Sequence, residues 1–109
     1  MEKKPRPKVL QGKTVKIAVG CGNLYLSLNK NSDGELIEVL VHIGKAGGCA
    51  TAFNEALTRS ITLGLKYGIS AKEYIEELKN IQCPMSVWQE GELIKSCPDA
   101  ISWIISQES

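Results

Sequence analysis

Apolar and polar residues alternate through the first half of the chain. Thr14 to Val19 alternates β-branched with other residues and predicts a strand that ends at Gly20-Cys21-Gly22. Asn23 to Asn29 places Leu24, Leu26 and Leu28 on one face and Tyr25 and Ser27 on the other, the period of two of a half-buried strand. Asn31-Ser32-Asp33-Gly34 is turn chemistry, and Asp-Gly favours a tight hairpin. The next strand, Glu35 to Ile43, puts Ile37, Val39, Val41 and Ile43 on one face. Leu36, Glu38, Leu40 and His42 occupy its other face, which is more apolar than a fully solvated surface. A three-stranded antiparallel meander follows, with a second face that wants cover.

The period then changes to that of a helix. From Cys49 to Tyr67, Cys49, Phe53, Ala56, Leu57, Ser60, Ile61, Gly64 and Leu65 recur at 3.6-residue spacing and predict one buried stripe. Tyr67-Gly68 ends this helix, since Gly is the usual residue just past a helix C-terminus. Ser70-Ala71-Lys72-Glu73 reads as a capping box for a second helix to about Ile81, with Tyr74, Ile75, Leu78 and Ile81 inward and Cys83-Pro84 closing it. A short hairpin across Ser86 to Lys95 turns at Glu90-Gly91. A third helix starts at Ser96-Cys97-Pro98-Asp99, with Ser96 or Cys97 as cap, Pro98 in the first turn and Asp99 complementing the dipole. Ile101, Ile104 and Ile105 bury it, with Trp103 at its side; Trp88 and Trp103 read as core or interface residues rather than a base-stacking platform. The fold class is α+β: a three-stranded antiparallel meander, then two to three helices packed on one face, with a small hairpin before the last.

Length and charge narrow the classes. The 109 residues make one domain with one core. Thirteen Lys and Arg stand against 12 Asp and Glu, so overall charge argues for neither a nucleic-acid nor a membrane partner. Lys3, Lys4, Arg6, Lys8 and Lys13 crowd the start beside Pro5 and Pro7, so residues 1–12 read as a basic, mobile arm ahead of a domain over 13–107. No apolar run approaches the roughly 20 residues of a membrane span and no signal-peptide core follows Met1, so a cytoplasmic location is expected.

Two places carry candidate chemistry. Gly44-Lys45-Ala46-Gly47-Gly48-Cys49 joins the third strand to the long helix. The first-turn amides and dipole of that helix, with Lys45, suit a phosphate. There Gly47 and Gly48 would offer amides, Thr51 a hydroxyl, and Asn54 and Arg59 contacts to a base or ribose. The alternative is a glycine-rich connection that merely lets the helix pack. The second place is the set Cys21, Cys49, Cys83 and Cys97, which contains no C-x-x-C pair, so spacing alone establishes no metal. All four stand at element ends rather than on apolar stripes, which favours a shared site over four inert core thiols. Cys49 and Cys97 open helices, where the dipole favours thiolate. The sole histidine, His42, reads as a partly exposed structural residue, with a catalytic or metal role as the alternative.

Ser96-Cys97-Pro98-Asp99-Ala100 resembles the motif that names the TSCPD domain, with Lys95 where that name has threonine. The resemblance extends over Gly20-Cys21-Gly22-Asn23-Leu24-Tyr25, Gly44 to Cys49 and Ile81-Gln82-Cys83-Pro84, covering the chain from about Gly12 with all four cysteines. The family occurs chiefly as the C-terminal region of adenosylcobalamin-dependent ribonucleotide reductases and as small free-standing proteins. This chain has no reductase barrel, so the resemblance implies a non-enzymatic accessory or ligand-binding module. Three readings stay open. The first is a small-nucleotide or phosphate-binding module that assists a reductase subunit or, as a bacterial or phage protein, sequesters a nucleotide signal. The second is a four-cysteine protein binding zinc or an iron–sulfur cluster, and the third is a structural oligomer without ligand. A homo-oligomer that covers the open sheet face is expected in any of them.

Overall fold

The computed structural model describes residues 1–44 and 48–108. Strands β1 (Gln11–Val19), β2 (Gly22–Lys30) and β3 (Leu36–Gly44) form an antiparallel sheet in the order β1-β2-β3. Helices α1 (Gly48–Lys66) and α2 (Ala71–Leu78) follow, then a hairpin of β4 (Val87–Gln89) and β5 (Glu92–Ile94), and last α3 (Cys97–Glu108). The α+β architecture read from the sequence is the one observed. The first strand starts three residues before the expected Thr14, because Gln11, Gly12 and Lys13 pair with Lys30, Asn29 and Leu28.

One sheet face is the core. Leu24, Leu26 and Leu28 of β2 stand opposite Ile17 and Val15 of β1 and Ile43, Val41 and Val39 of β3. Ile101, Ile104 and Ile105 of α3 and Ile61 and Leu65 of α1 complete the buried cluster. The opposite face stays open. It carries a row of Lys16, Tyr25 and His42, with the Lys16 Nζ 5.9 Å from the Tyr25 ring centroid and the two rings 6.3 Å apart. Beside that row Thr14 Oγ1 and Ser27 Oγ are 2.9 Å apart, and Leu40 is exposed.

Helix α1 protects the outer edge of β3. Thr62 Oγ1 accepts from the Val39 amide at 3.0 Å and donates to the Val39 carbonyl at 3.0 Å, so one hydroxyl occupies both main-chain groups of an edge residue. The predicted stripe is corrected in the first half of this helix. Phe53 is 74% exposed, and Cys49, Ala56 and Ser60 are exposed as well. Asn54 and Thr58 turn inward instead, one helical turn apart and in line with Ile61 and Leu65. Thr58 Oγ1 reaches the Asn54 carbonyl at 3.2 Å, which removes its burial cost.

Gly68, at φ 96°, ends α1 in the left-handed conformation, with Ile69 N bonded to Gly64 O and Gly68 N to Leu65 O. Gly64 lets the Tyr74 ring of α2 come close, since a Cβ there would meet the Tyr74 hydroxyl and the ring would have to shift. Ser70 occupies the N-cap position of α2 but makes no side-chain cap bond, so the predicted capping box does not form. Helix α2 also stops at Leu78, three residues early, and Ile81 is exposed. The turn at Glu90-Gly91 is as expected: both residues have positive φ, 51° and 84°, the conformation of a two-residue hairpin loop. Trp88 in that hairpin is 72% exposed and is not a core residue. No helix among the described residues is long and apolar enough to cross a membrane.

The N-terminal arm touches the domain at two points. Lys4 N donates to the Lys66 carbonyl at 2.9 Å, and Arg6 Nε donates to Glu38 Oε2 at 2.8 Å. Hydrogen bonding to Arg6 holds the buried Glu38 carboxyl below its ordinary range; burial opposes this, while Asn29 and the charge of Lys66 add to the lowering. A carboxylate favoured in the folded state stabilises the fold above its unfolded pKa, and that contribution disappears as pH falls through the lower folded value. Calorimetric melting should therefore show stability falling as pH drops below about 4.3, the ordinary Glu value. Glu38→Gln should melt lower than wild type at neutral pH and respond less to acid, and parallel pH profiles for the two proteins would contradict the assignment.

Candidate functional site

The segment Ser96-Cys97-Pro98-Asp99 organises one corner of the molecule. Ser96 is the N-cap of α3: its Oγ accepts from the Asp99 amide at 3.1 Å, and its carbonyl accepts from Ala100 N at 3.0 Å. The same Oγ donates to the Ile81 carbonyl at 2.5 Å. Pro98 sits in the first turn, where no intrahelical donor is lost. Asp99 reaches backwards, with Oδ2 accepting from Lys95 N at 3.0 Å and Oδ1 from Asn80 N at 2.7 Å. Asn80 has φ 65°, a left-handed conformation that Asn tolerates better than most residues. Cys83 N then donates to the Lys95 carbonyl at 2.9 Å. The chain between α2 and β4 is thus tied to the start of α3 by side chains of the motif and by main-chain bonds.

These ties bring thiols together. The β1–β2 turn at Gly20-Cys21 packs against the loop after Cys83, so closely that a Cβ at Gly20 would overlap the Met85 carbonyl. Gly22 in turn approaches the end of β3, where a Cβ would lie 2.6 Å from the Gly44 carbonyl. Cys21, Cys83 and Cys97 therefore come from three different element ends into one corner. The thiolate expected of Cys97 at a helix start is corrected here, because burial pushes this thiol up from its ordinary value. The Asn54 side chain of α1 acts against this, and the neighbouring thiols of Cys21 and Cys83 push it further up. Asn54 is fixed in place by donating to the Ala50 carbonyl at 2.8 Å. Asn54, expected at a base or ribose and left out of the predicted stripe, points inward instead, one turn before Thr58.

All four thiols are free; Cys83 and Cys97 are half-buried, and Cys21 and Cys49 exposed. Cys49 lies in the first turn of α1, the helix that supplies Asn54. Among the described residues no group of three or more His, Cys, Asp or Glu side chains stands where it could hold a metal ion. The converging donors are nonetheless sulfur, the chemistry that zinc and iron–sulfur clusters take. His42 stands apart from the corner, exposed on the open sheet face beside Tyr25.

Of the residues assigned to an anion, Lys45, Ala46 and Gly47 lie outside the described residues. Gly44 ends β3, Gly48 starts α1 with open space around it, and Thr51 and Arg59 are exposed on α1.

A small α+β domain with a cysteine-lined corner beneath a Ser-Cys-Pro-Asp helix start is the class of module that this geometry defines. The TSCPD domain family model matches residues 1–109, and the chain belongs to that family. It is 27% identical over 107 residues to the vitamin B12-dependent ribonucleotide reductase of Agrobacterium fabrum, covering 97% of this chain and 8% of that protein. The proteins of the same name from Bradyrhizobium diazoefficiens (31% over 75 residues; 69% of this chain, 6% of that protein) and Streptantibioticus cattleyicolor (28% over 80 residues; 73% and 13%) are also similar. The chain thus spans only 6 to 13% of the length of these three relatives. No solved structure matches.

Asp99 satisfies two main-chain donors from a position that is 9% exposed. Asp99→Ala should cost about 2–3 kcal/mol of stability, since buried donors left without acceptors cost about 1–3 kcal/mol each. Ser96→Ala should cost less, about 1 kcal/mol, the usual value of a cap. Urea unfolding of both variants measures this, and a Ser96 variant less stable than the Asp99 variant would reverse the assigned hierarchy.

Proposed function

We propose that this chain is a non-catalytic accessory module of the ribonucleotide-reductase type whose working part is the cysteine corner, and that the corner takes a thiophilic metal, zinc first. The observation that carries this reading is the arrival of Cys21 and Cys83 beside the half-buried Cys97 from three separate element ends. Thiols that meet side by side are suited to share one thiophilic cation, each binding as thiolate after it gives up its proton. Cys21, Cys83 and Cys97 would hold the ion, with Cys49 the remaining thiol for a fourth place. Zinc bound there would act as a structural cross-link, because four thiolates leave it no open position.

Anaerobically purified protein should contain about one equivalent of zinc, and cobalt substitution should give thiolate charge-transfer absorption. Cys83→Ser and Cys97→Ser should each abolish that absorption, and Cys49→Ser shows whether the fourth ligand is a thiol. Less than about a tenth of an equivalent of zinc or iron, with no cobalt spectrum, would remove the proposal.

A second reading keeps a small nucleotide or other phosphate at Gly44–Cys49, to be carried or sequestered. It is supported by α1, a 19-residue helix with no acidic side chain in its first turn. Lys45→Ala should weaken binding of that nucleotide roughly 10-fold or more by calorimetric titration, the value of one charge-assisted contact. A wild-type protein that binds no member of a nucleotide panel retires this reading and leaves the metal reading untouched.

A further inference from the structure

The far end of the molecule holds a cavity that none of these functions uses. We propose that it is a binding site for a small organic anion with an apolar body, such as an aromatic carboxylate. The cavity has a volume of about 500 Å³ and lies between the N-terminal arm, the β2–β3 loop and the α1–α2 junction. That is within the roughly 300–1,000 Å³ of sites that enclose small molecules. It is remote from the cysteine corner. The nine residues of β3, at about 3.3 Å each, separate the two by roughly 25 Å, and α1 spans a similar length.

Its walls are apolar. Pro5 and Pro7 of the arm form one side, and Leu36, Leu65 and Ile69 belong to the domain opposite. A flat or chain-like body would be enclosed between them, with burial of its surface as the main source of affinity. Its rim is cationic. Lys4, Arg6 and Lys66 line it, against one lining carboxylate, Glu35, which receives the Asn31 amide at 3.1 Å. Arg6 is committed to Glu38, just behind the wall, through bonds of 2.8 and 3.3 Å. Counting Glu38, three cations face two carboxylates, and the excess is one positive charge. Among the described residues, neither the Lys4 nor the Lys66 ammonium group forms an ion pair or a hydrogen bond, although their main chains are tied together. The Ser70 hydroxyl also lines the cavity and makes no cap bond, so it supplies a further uncommitted donor. One surplus charge and a free hydroxyl match a single anionic head rather than a polyphosphate, and the prolines and leucines match the body behind it.

The arm forms part of the enclosure, so binding should also fix it. The test is a two-dimensional ¹⁵N–¹H NMR titration of the full chain with three probes: 2-naphthoate, its neutral analogue naphthalen-2-ylmethanol, and inorganic phosphate. 2-Naphthoate should shift the amides of Gly34, Ile37, Gly68 and Ala71 in a saturable way. The neutral analogue should bind the same amides roughly 10-fold more weakly, and phosphate more weakly again, because each lacks one half of the recognition. Lys4→Gln with Lys66→Gln should lower naphthoate affinity roughly 10-fold or more and leave the alcohol unchanged, while Lys16→Gln on the open sheet face should change neither. Equal affinity for acid and alcohol, phosphate binding as tightly as naphthoate, shifts confined to other residues, or no saturable shift up to about 10 mM would each overturn the proposal. None of these outcomes bears on metal content, so the two sites are tested separately.

Discussion

Asp99 ties three elements of this structure together. Its carboxylate accepts main-chain amides from Asn80 and Lys95, 19 and 4 residues away, and so joins the end of α2 to the end of β5 at the start of α3. A carboxylate in a helix's first turn is favoured by the dipole before it bonds to anything. Here that preference is used to satisfy donors that have no partner in any regular element. Ser96 works in the opposite direction, closing the helix with one lone pair and donating its proton to Ile81. Between them the two residues position Cys97 and restrain Cys83, whose amide bonds to Lys95. The cysteine corner is a consequence of a helix cap.

Helix α1 is the second constraint. Thr62 grips Val39 through both main-chain groups, which fixes the helix along the sheet edge and protects an edge that would otherwise be open to another strand. Once that pair is set, the N-terminal end of α1 stands at the cysteine corner and its C-terminal end at the apolar cavity. Asn54 acts on Cys97 at one end, and Leu65 and Lys66 line the cavity at the other. A single amphipathic helix therefore runs from the thiol corner to the cavity, at the two ends of β3. The inward residues of its first half are polar because that end faces thiols, and those of its second half are apolar because that end faces leucines and isoleucines.

This division explains what was legible in the sequence. Strand alternation in Leu24, Leu26 and Leu28, the left-handed glycine at Gly68 and the Glu90-Gly91 turn are local signals, and each corresponds to the structure. The Ser96–Asp99 start was legible as a cap, but its longest bonds, to Asn80 and Ile81, depend on chain folding that no spacing encodes. The α1 stripe misled because periodicity assumes that apolar residues point inward. Phe53 is exposed and Asn54 buried, a reversal caused by a polar interior at that end. Ser70-Glu73 carries the letters of a capping box without the bond, since the helix starts with the serine hydroxyl left free beside the cavity. The cysteines could be placed at element ends from sequence, whereas their convergence required the Gly20–Met85 and Gly22–Gly44 approaches, which are tertiary.

The relatives named as vitamin B12-dependent ribonucleotide reductases are many times longer than this chain, so what passes between them and it is what the domain's own residues make. The sheet, the capped α3 and the thiol corner are all built from residues of this chain. A corner whose thiols come from three element ends also has a property that a compact ligand loop lacks. Its donors meet only when β1–β2, the loop after α2 and the start of α3 are packed together. Binding of any thiophilic ion would then be coupled to the packing of the whole domain rather than to one hairpin. By the same argument, loosening any one tie, such as the Asp99 bonds to Lys95 and Asn80, would weaken the site without touching a cysteine.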